Sequence, residues 1–309
     1  MKIVITGVAG FIGANLARTL VEAGHEVLGI DNLSYGVKEH IPGSVQFHLV
    51  DIRDSEIVRL FAGADVVFHL AAKNCISDCQ NDPVETADIN VTGTVNVFDA
   101  ARKAGVRKVI YAESSALYEG SAILPTPESG VRPESFYAVS KLAGMHFAEA
   151  YRRYFGMTFT ALCYFCVYGP VQDYRRTIPP VMSAFIIKLL KGESPVIYGS
   201  GRKRRDFVYV DDVNEFHVTC LTDPRTNNRT FNLGSGTSHS VLDLYETICE
   251  LLGTRLEPRF EPDLPGEAQK TLADISEAKK LGWKPETDLR TGLQRAIAYI
   301  REEMRLGRI

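Results

Sequence analysis

No stretch of this chain reaches the roughly 18 consecutive apolar residues that a membrane-crossing helix requires, so no membrane span is expected. Met1-Lys2 leads straight into Ile3-Val4-Ile5-Thr6-Gly7, an apolar run too short for a signal peptide, and a cytoplasmic protein is expected. Charge of one sign is lacking too: 35 Lys and Arg face 38 Asp and Glu, a net of −3. Such a balance gives no broad basic field, so nucleic acid is not an expected partner. The run Arg202-Lys203-Arg204-Arg205 is local and on charge alone reads as a solvated loop. Six cysteines in 309 residues are too few for a disulfide scaffold. The pairs Cys75/Cys79 and Cys163/Cys166 do not offer four convergent ligands, so they read as buried or cleft-lining thiols and no metal is expected. Repeats and low-complexity tracts are absent.

What is present is alternation. Short apolar runs occur at Lys2 to Thr6, Glu26 to Ile30, Val45 to Leu49, Val66 to His69, Lys108 to Ala112 and Phe159 to Tyr164. Continuous apolar strands suit a parallel sheet covered on both faces. Helical patterns separate them at Phe11 to Ala23, Asp54 to Ala62, Pro83 to Ala104 and Ser135 to Phe155. The order predicts an α/β fold, a Rossmann-type doubly wound parallel sheet. Past about Pro170 the pattern loosens, with helices expected at Val181 to Leu190, Val241 to Leu252 and Leu289 to Met304. The expected organisation is a dinucleotide-binding domain over residues 1–170 and a smaller, mainly substrate-binding lobe over 171–309. Two segments in about 205–235, Phe207 to Val210 and Thr230 to Leu233, read as strands returning to the main sheet.

Gly7-Val8-Ala9-Gly10-Phe11-Ile12-Gly13 follows the first strand and opens the first helix. Glycine there lets backbone N–H groups approach a diphosphate, and the helix N-terminus adds partial positive charge. Asp31 ends the second strand 18 residues beyond Gly13, with Asn32 beside it. A carboxylate at that place accepts from the ribose hydroxyls and repels a 2′-phosphate, so NAD is the expected cofactor rather than NADP. Tyr137-Ala138-Val139-Ser140-Lys141 puts a phenol and an ammonium on one helix face, where the ammonium favours the phenolate. Ser114, 23 residues earlier at a strand end, can bind the same substrate oxygen.

On these residues the chain resembles the extended short-chain dehydrogenase/reductases, and within them the UDP-glucose 4-epimerase-like enzymes. The resemblance covers nearly the whole chain. It includes Thr6 to Gly13, Asp31-Asn32-Leu33-Ser34, Asp51-Ile52, His69-Leu70-Ala71-Ala72, Asn90, Ser114, Tyr137/Lys141, Tyr164-Phe165, Tyr168-Gly169-Pro170, Arg205 to Asp212 and Leu281 to Pro285. It implies that Asp51 and Ile52 hold adenine, and that Leu70, Ala71 and Ala72 line the diphosphate and ribose. Asn90 is implied near the nicotinamide, Lys141 on the nicotinamide ribose and Phe165 in the nicotinamide pocket. Arg205 is implied to clamp the nucleotide diphosphate of the substrate and Tyr198 to face its base, which makes Arg205, not Arg202 or Lys203, the functional cation of the basic run. Ser115, Cys166 and Thr271 are implied at the substrate.

The residues after Ser114 bear on the reaction. Related dehydratases resemble one another in an Asp-Glu pair there, and decarboxylases in a nearby Glu; here Ser115-Ala116 follow. Without those acids the expectation is 4-epimerisation of a nucleotide-activated hexose through a 4-keto sugar. An NAD(H)-dependent sugar-nucleotide reductase or dehydrogenase and a non-catalytic NAD-binding regulatory protein are the alternatives. Three places depart from the family pattern: Cys163 and Cys166 stand where Arg and Asn are usual, Leu264 where Arg is common, and Glu119 where Gly is usual. Thr271 aligns with a gate occupied in some epimerases by a bulky Tyr, and its small side chain leaves room for an N-acetyl group. The family resemblance also implies a homodimer joined through the helices Pro83 to Ala104 and Ser135 to Phe155.

Overall fold

The computed structural model describes residues 1–175, 179–263 and 268–309. Among the described residues twelve strands are numbered in chain order. Six of them, β1 (Lys2–Thr6), β2 (Glu26–Asp31), β3 (Gln46–Leu49), β4 (Val66–His69), β5 (Lys108–Ser114) and β6 (Thr158–Tyr164), lie in the main sheet with β10 (Arg229–Leu233). The order is β10-β6-β5-β4-β1-β2-β3 and every pairing is parallel. Because β2 lies on one side of β1 and β4 on the other, the winding reverses between β1 and β4, and a crevice opens at their carboxyl ends. The apolar strands follow from coverage on both faces. Ile3, Ile5, Phe68 and Ile110 belong to one core, and Val4, Val67, Val109 and Tyr111 to the other.

Five of the seven expected helices form with their bounds unchanged or shifted by one residue. The segment Asp54 to Ala62 shrinks to a helix over Ile57–Leu60, because Asp54 accepts the Glu56 N–H at 2.8 Å and makes a turn first. Pro83 to Ala104 is helical but interrupted: Pro83–Ala87 and Thr94–Lys103 flank a π-helical stretch, Asp88–Gly93. A further helix, Ile76–Asn81, lay outside the sequence pattern.

The remaining strands are β7 (Cys166–Tyr168), β8 (Val196–Tyr198), β9 (Arg204–Tyr209), β11 (Ser238–Ser240) and β12 (Arg259–Glu261). One of the two expected returning strands does return: β10 pairs with β6. The other does not. β9, which contains Phe207, sits between β7 and β11 in a separate three-stranded sheet. The carboxylate of Asp206 fixes it there, accepting from the backbone N–H groups of Ser235, Gly236 and Ala273 at 2.6–3.1 Å. A third core, with Phe185, Leu244, Ile248 and Ile297, fills the C-terminal part. Among the described residues no helix is long and apolar enough to cross a membrane.

Candidate active site

A cleft of about 1210 Å³ runs along the carboxyl ends of the main strands, and nearly every residue singled out above lines it. At its floor is the glycine turn. Gly7 has φ +76°, and a Cβ there would stand 2.7 Å from the Ala71 nitrogen, where β4 ends. A Cβ on Gly13 would meet the Gly7 carbonyl oxygen at 2.1 Å. The turn is therefore closed to any side chain at both places, and the helix Phe11–Glu22 starts directly behind it. Phe11, Ile12, Leu70, Ala71 and Ala72 line the same wall.

Asp31 lies at the β2 terminus with its oxygens taking the Ala9 N–H (3.0 Å) and the Leu33 N–H (2.8 Å). Burial raises its pKa, and these two backbone donors oppose the rise. Asn32 donates to Asp51 at 2.8 Å, so two residues predicted from separate motifs meet at one rim, with Ile52 buried beside them. Arg53, unforeseen from sequence, bridges Asp51 and Asp88 and holds the Asp51 carboxyl down at about 2.

The catalytic candidates stand on β5 and on the helix Phe136–Phe155. Ser135 caps that helix, accepting from the Ala138 N–H at 3.1 Å. Tyr137 is half-buried in the cleft and Lys141 is buried. The Lys141 ammonium lies 4.1 Å from the Tyr111 ring centroid, and Tyr111 donates its hydroxyl to the Lys141 carbonyl at 3.2 Å. Desolvation lowers the Lys141 pKa, and the Glu113 carboxylate opposes that fall. Ser114, at the end of β5, accepts from the Ala116 N–H at 3.2 Å and opens onto the cleft with Ser115. Phe165 lines the cleft next to Tyr118, ring centroids 6.0 Å apart.

Tyr198, Arg205, Cys166 and Thr271 reach the cleft from the C-terminal side. The Thr271 hydroxyl accepts from the Asp206 N–H at 3.2 Å, so it is anchored rather than loose. Leu264 lies outside the described residues.

One expectation, for Lys203, needs correction, and Asn90 sits behind the cleft wall rather than on it. It is buried, and its amide bonds the Lys73 N–H (2.8 Å), the Lys73 carbonyl (2.9 Å) and the Ser140 hydroxyl (2.9 Å). It thus braces the catalytic helix from behind. Lys203 is not a solvated loop cation: it is buried at the cleft wall and paired with Asp263. Arg202 is exposed as expected. Cys163 faces the core rather than the cleft, while Cys166 does reach it.

Sequence reasoning also passed over Glu113 and Lys73 and gave Glu119 no role, and all three line the cleft. Glu119 accepts from the backbone N–H groups of Glu134 and Ser135 and from the Ser135 hydroxyl, tying the strand-end segment to the start of the catalytic helix. Its signal was the departure from glycine itself. For Glu113 the signal was a charge inside an apolar strand; for Lys73, a cation directly after Leu70-Ala71-Ala72.

A doubly wound sheet with a closed glycine turn at its reversal and a Tyr/Lys pair beside a strand-end serine defines an extended short-chain dehydrogenase/reductase. A model of the NAD dependent epimerase/dehydratase family matches residues 3–234, and the chain belongs to that family. It is an NAD-dependent isomerase of the UDP-glucose 4-epimerase-like type. The UDP-glucose 4-epimerase of Mycolicibacterium smegmatis is 34% identical over 313 residues, spanning 98% of this chain and 99% of that protein. The structure of UDP-glucose 4-epimerase from Thermotoga maritima with UDP-glucose is similar at a TM-score of 0.95 and 33% identity, over 98% of this chain and 100% of that one. UDP-N-acetylglucosamine 4-epimerase from Methanobrevibacter ruminantium, in complex with UDP-N-acetylmuramic acid, gives 0.94 and 30%, over 98% and 99%.

Proposed function

We propose that the protein interconverts the C4 epimers of a UDP-hexose, a glucose/galactose pair or its N-acetyl forms. The observation that carries this reading is the convergence of Ser114, Tyr137 and Lys141 on the same cleft as the glycine turn and Asp31. NAD, when bound, supplies a reversible hydride acceptor. Gly7, Gly10 and Gly13 would border its diphosphate, Asp31 and Asn32 its adenosine ribose, Asp51 and Ile52 its adenine. Leu70, Ala71 and Ala72 would line its middle, and Phe165 and Lys141 its nicotinamide end.

Tyr137 takes the proton of the sugar 4-hydroxyl, and Ser114 holds the same oxygen by a hydrogen bond. The buried Lys141 ammonium favours the phenolate that this requires. The 4-keto sugar then turns and presents its other face, where the hydride taken from C4 would be returned as the C4 oxygen receives the proton back from Tyr137. Arg205 and Tyr198 would hold the nucleotide throughout, with Ser115, Cys166 and Thr271 around the sugar. That anchoring is what lets the ring turn without loss to solvent. In this reading residues 1–170 carry the cofactor and 171–309 mainly the substrate.

We also infer a cytoplasmic homodimer. Val84, Phe136, Val139 and Phe147, on the two helical segments named for the interface, are exposed apolar side chains.

Incubation with UDP-, dTDP-, GDP- and CDP-sugars, followed by separation of C4 epimers, tests the reaction. Epimers formed without net NADH change are expected; stoichiometric NADH change would favour a reductase. Tyr137→Phe is expected to abolish turnover and leave NAD binding intact, and unchanged turnover refutes the assigned base.

A further inference from the structure

Glu113, near the carboxyl end of β5, is a charged residue of the cleft that the reaction above does not use. It lies one residue before Ser114 and is only 2% exposed. One of its oxygens accepts from the Ser114 N–H at 3.1 Å; the other, Oε2, is buried and has no hydrogen-bond partner. Alternate residues of a strand share a face, so Glu113 is on the same side of the sheet as Tyr111. That side carries the catalytic helix, since the Lys141 ammonium sits over the Tyr111 ring. A buried carboxylate with an unbonded oxygen is costly unless an opposite charge is close. The groups around it from every side are Lys141 on the catalytic helix, Cys163 opposite it on β6, Tyr118 in the turn that follows, and Tyr111 on its own strand. Among these Lys141 is the one cation.

We propose that Glu113 is a positioning residue of the reaction: its carboxylate is the counter-charge that keeps the Lys141 ammonium charged beside Tyr137 as pH rises. Burial alone drives Lys141 toward its neutral amine, and a neutral amine no longer favours the phenolate. Burial also raises the Glu113 pKa, so the carboxyl ionises near the pH range in which the ammonium needs support. A single backbone hydrogen bond leaves that ionisation free to occur without breaking other contacts. The Coulombic direction is plain. An anion at Glu113 raises the Lys141 pKa, so its removal lets Lys141 lose its proton at lower pH.

This rests on the epimerase reading, and the experiment separates the two. The unmodified protein is first assayed on the UDP-sugar panel; no turnover there counts against the proposed function alone. With turnover, kcat/KM is followed from about pH 5 to about pH 10 for the unmodified protein, Glu113→Gln and Glu113→Asp. The alkaline limb of Glu113→Gln is expected to move down by about one pH unit, a roughly tenfold loss at alkaline pH. NAD binding should stay within about twofold, and Glu113→Asp should restore part of the limb. A limb unmoved in Glu113→Gln, or a loss equal at every pH, overturns the proposal. If Glu113→Gln does not fold, Glu113→Asp alone decides by the same limb. In the absence of turnover, infrared titration reads Glu113 directly. A Glu113 carboxylate band present by about pH 8, lost in Glu113→Gln, supports the proposal; a carboxyl that stays protonated up to about pH 10 overturns it.

Discussion

The Glu119 carboxylate takes both the backbone N–H of Ser135, at 2.8 Å, and its hydroxyl, at 3.0 Å. Ser135 is the N-cap of the helix that carries Tyr137 and Lys141. One acid therefore fixes the angle at which the catalytic helix leaves its loop. Replacing it, Glu119→Ala, is expected to cost about 1–2 kcal/mol in urea unfolding. Turnover should fall through kcat more than through KM, since the helix start and not the nucleotide clamp is loosened. A change in KM alone would contradict this.

The three glycines of the turn answer to different constraints. Gly13→Ala would place Cβ 2.1 Å from the Gly7 carbonyl oxygen, and overpacking of that kind costs about 1–3 kcal/mol. A Cβ at Gly10 meets only the Gly7 carbonyl oxygen, at 3.3 Å. Gly10→Ala is therefore expected to cost less than about 1 kcal/mol of stability yet to weaken NAD about tenfold, because only a ligand passing close to the backbone makes that position small. Thermal unfolding paired with fluorescence titration of NADH checks both. Undiminished affinity in Gly10→Ala would place the diphosphate elsewhere.

Asp31 gives the cofactor preference a measurable form. Asp31→Ser removes the carboxylate that would repel a 2′-phosphate. The ratio of NADP to NAD affinity should rise by about tenfold or more, the worth of one charged contact. A ratio unchanged in this variant removes Asp31 from the ribose.

Acid stability should be governed by two buried imidazoles. His69 lies between the Thr6 and Thr94 hydroxyls at 2.8 and 2.9 Å, and His217 between Tyr164 (2.6 Å) and Asn214 (3.1 Å). Desolvation pushes both down to about 3. The unfolded chain therefore takes up protons first as pH falls below about 6.5, and stability drops from there toward pH 3. By about pH 4.5 each contributes a loss of roughly 2–3 kcal/mol. Urea unfolding across this range should slope accordingly, and His217→Asn should flatten it. A level profile between about pH 4.5 and 6.5 would show that both are charged in the fold.

The fold was legible where local pattern and burial agree. Apolar runs such as Val66 to His69 had no alternative to a doubly covered strand, and Val181–Leu190 and Val241–Leu252 form with the bounds read from their periodicity. Phe207 misled because an apolar stretch says that a strand is buried, not in which sheet; the partner was decided by Asp206, whose backbone N–H donors lie far along the chain. The bracing role of Asn90 was hidden for a related reason: its amide bonds Lys73 and Ser140, contacts 17 and 50 residues away that no local spacing reveals. Glu119 was visible only as an oddity, because its partner Ser135 is 16 residues on.

β10 returns from residue 229 to flank β6, with Phe231 and Leu233 buried against the main core. The order of synthesis thus differs from the order of assembly. A ribosome that has released the first 170 residues has made six strands of the sheet but not the seventh, and the rim of β6 stays bare until about 60 more residues emerge. A gene cut at that point should yield aggregates rather than a small dinucleotide carrier, since unpaired backbone and an uncovered apolar rim recruit other chains.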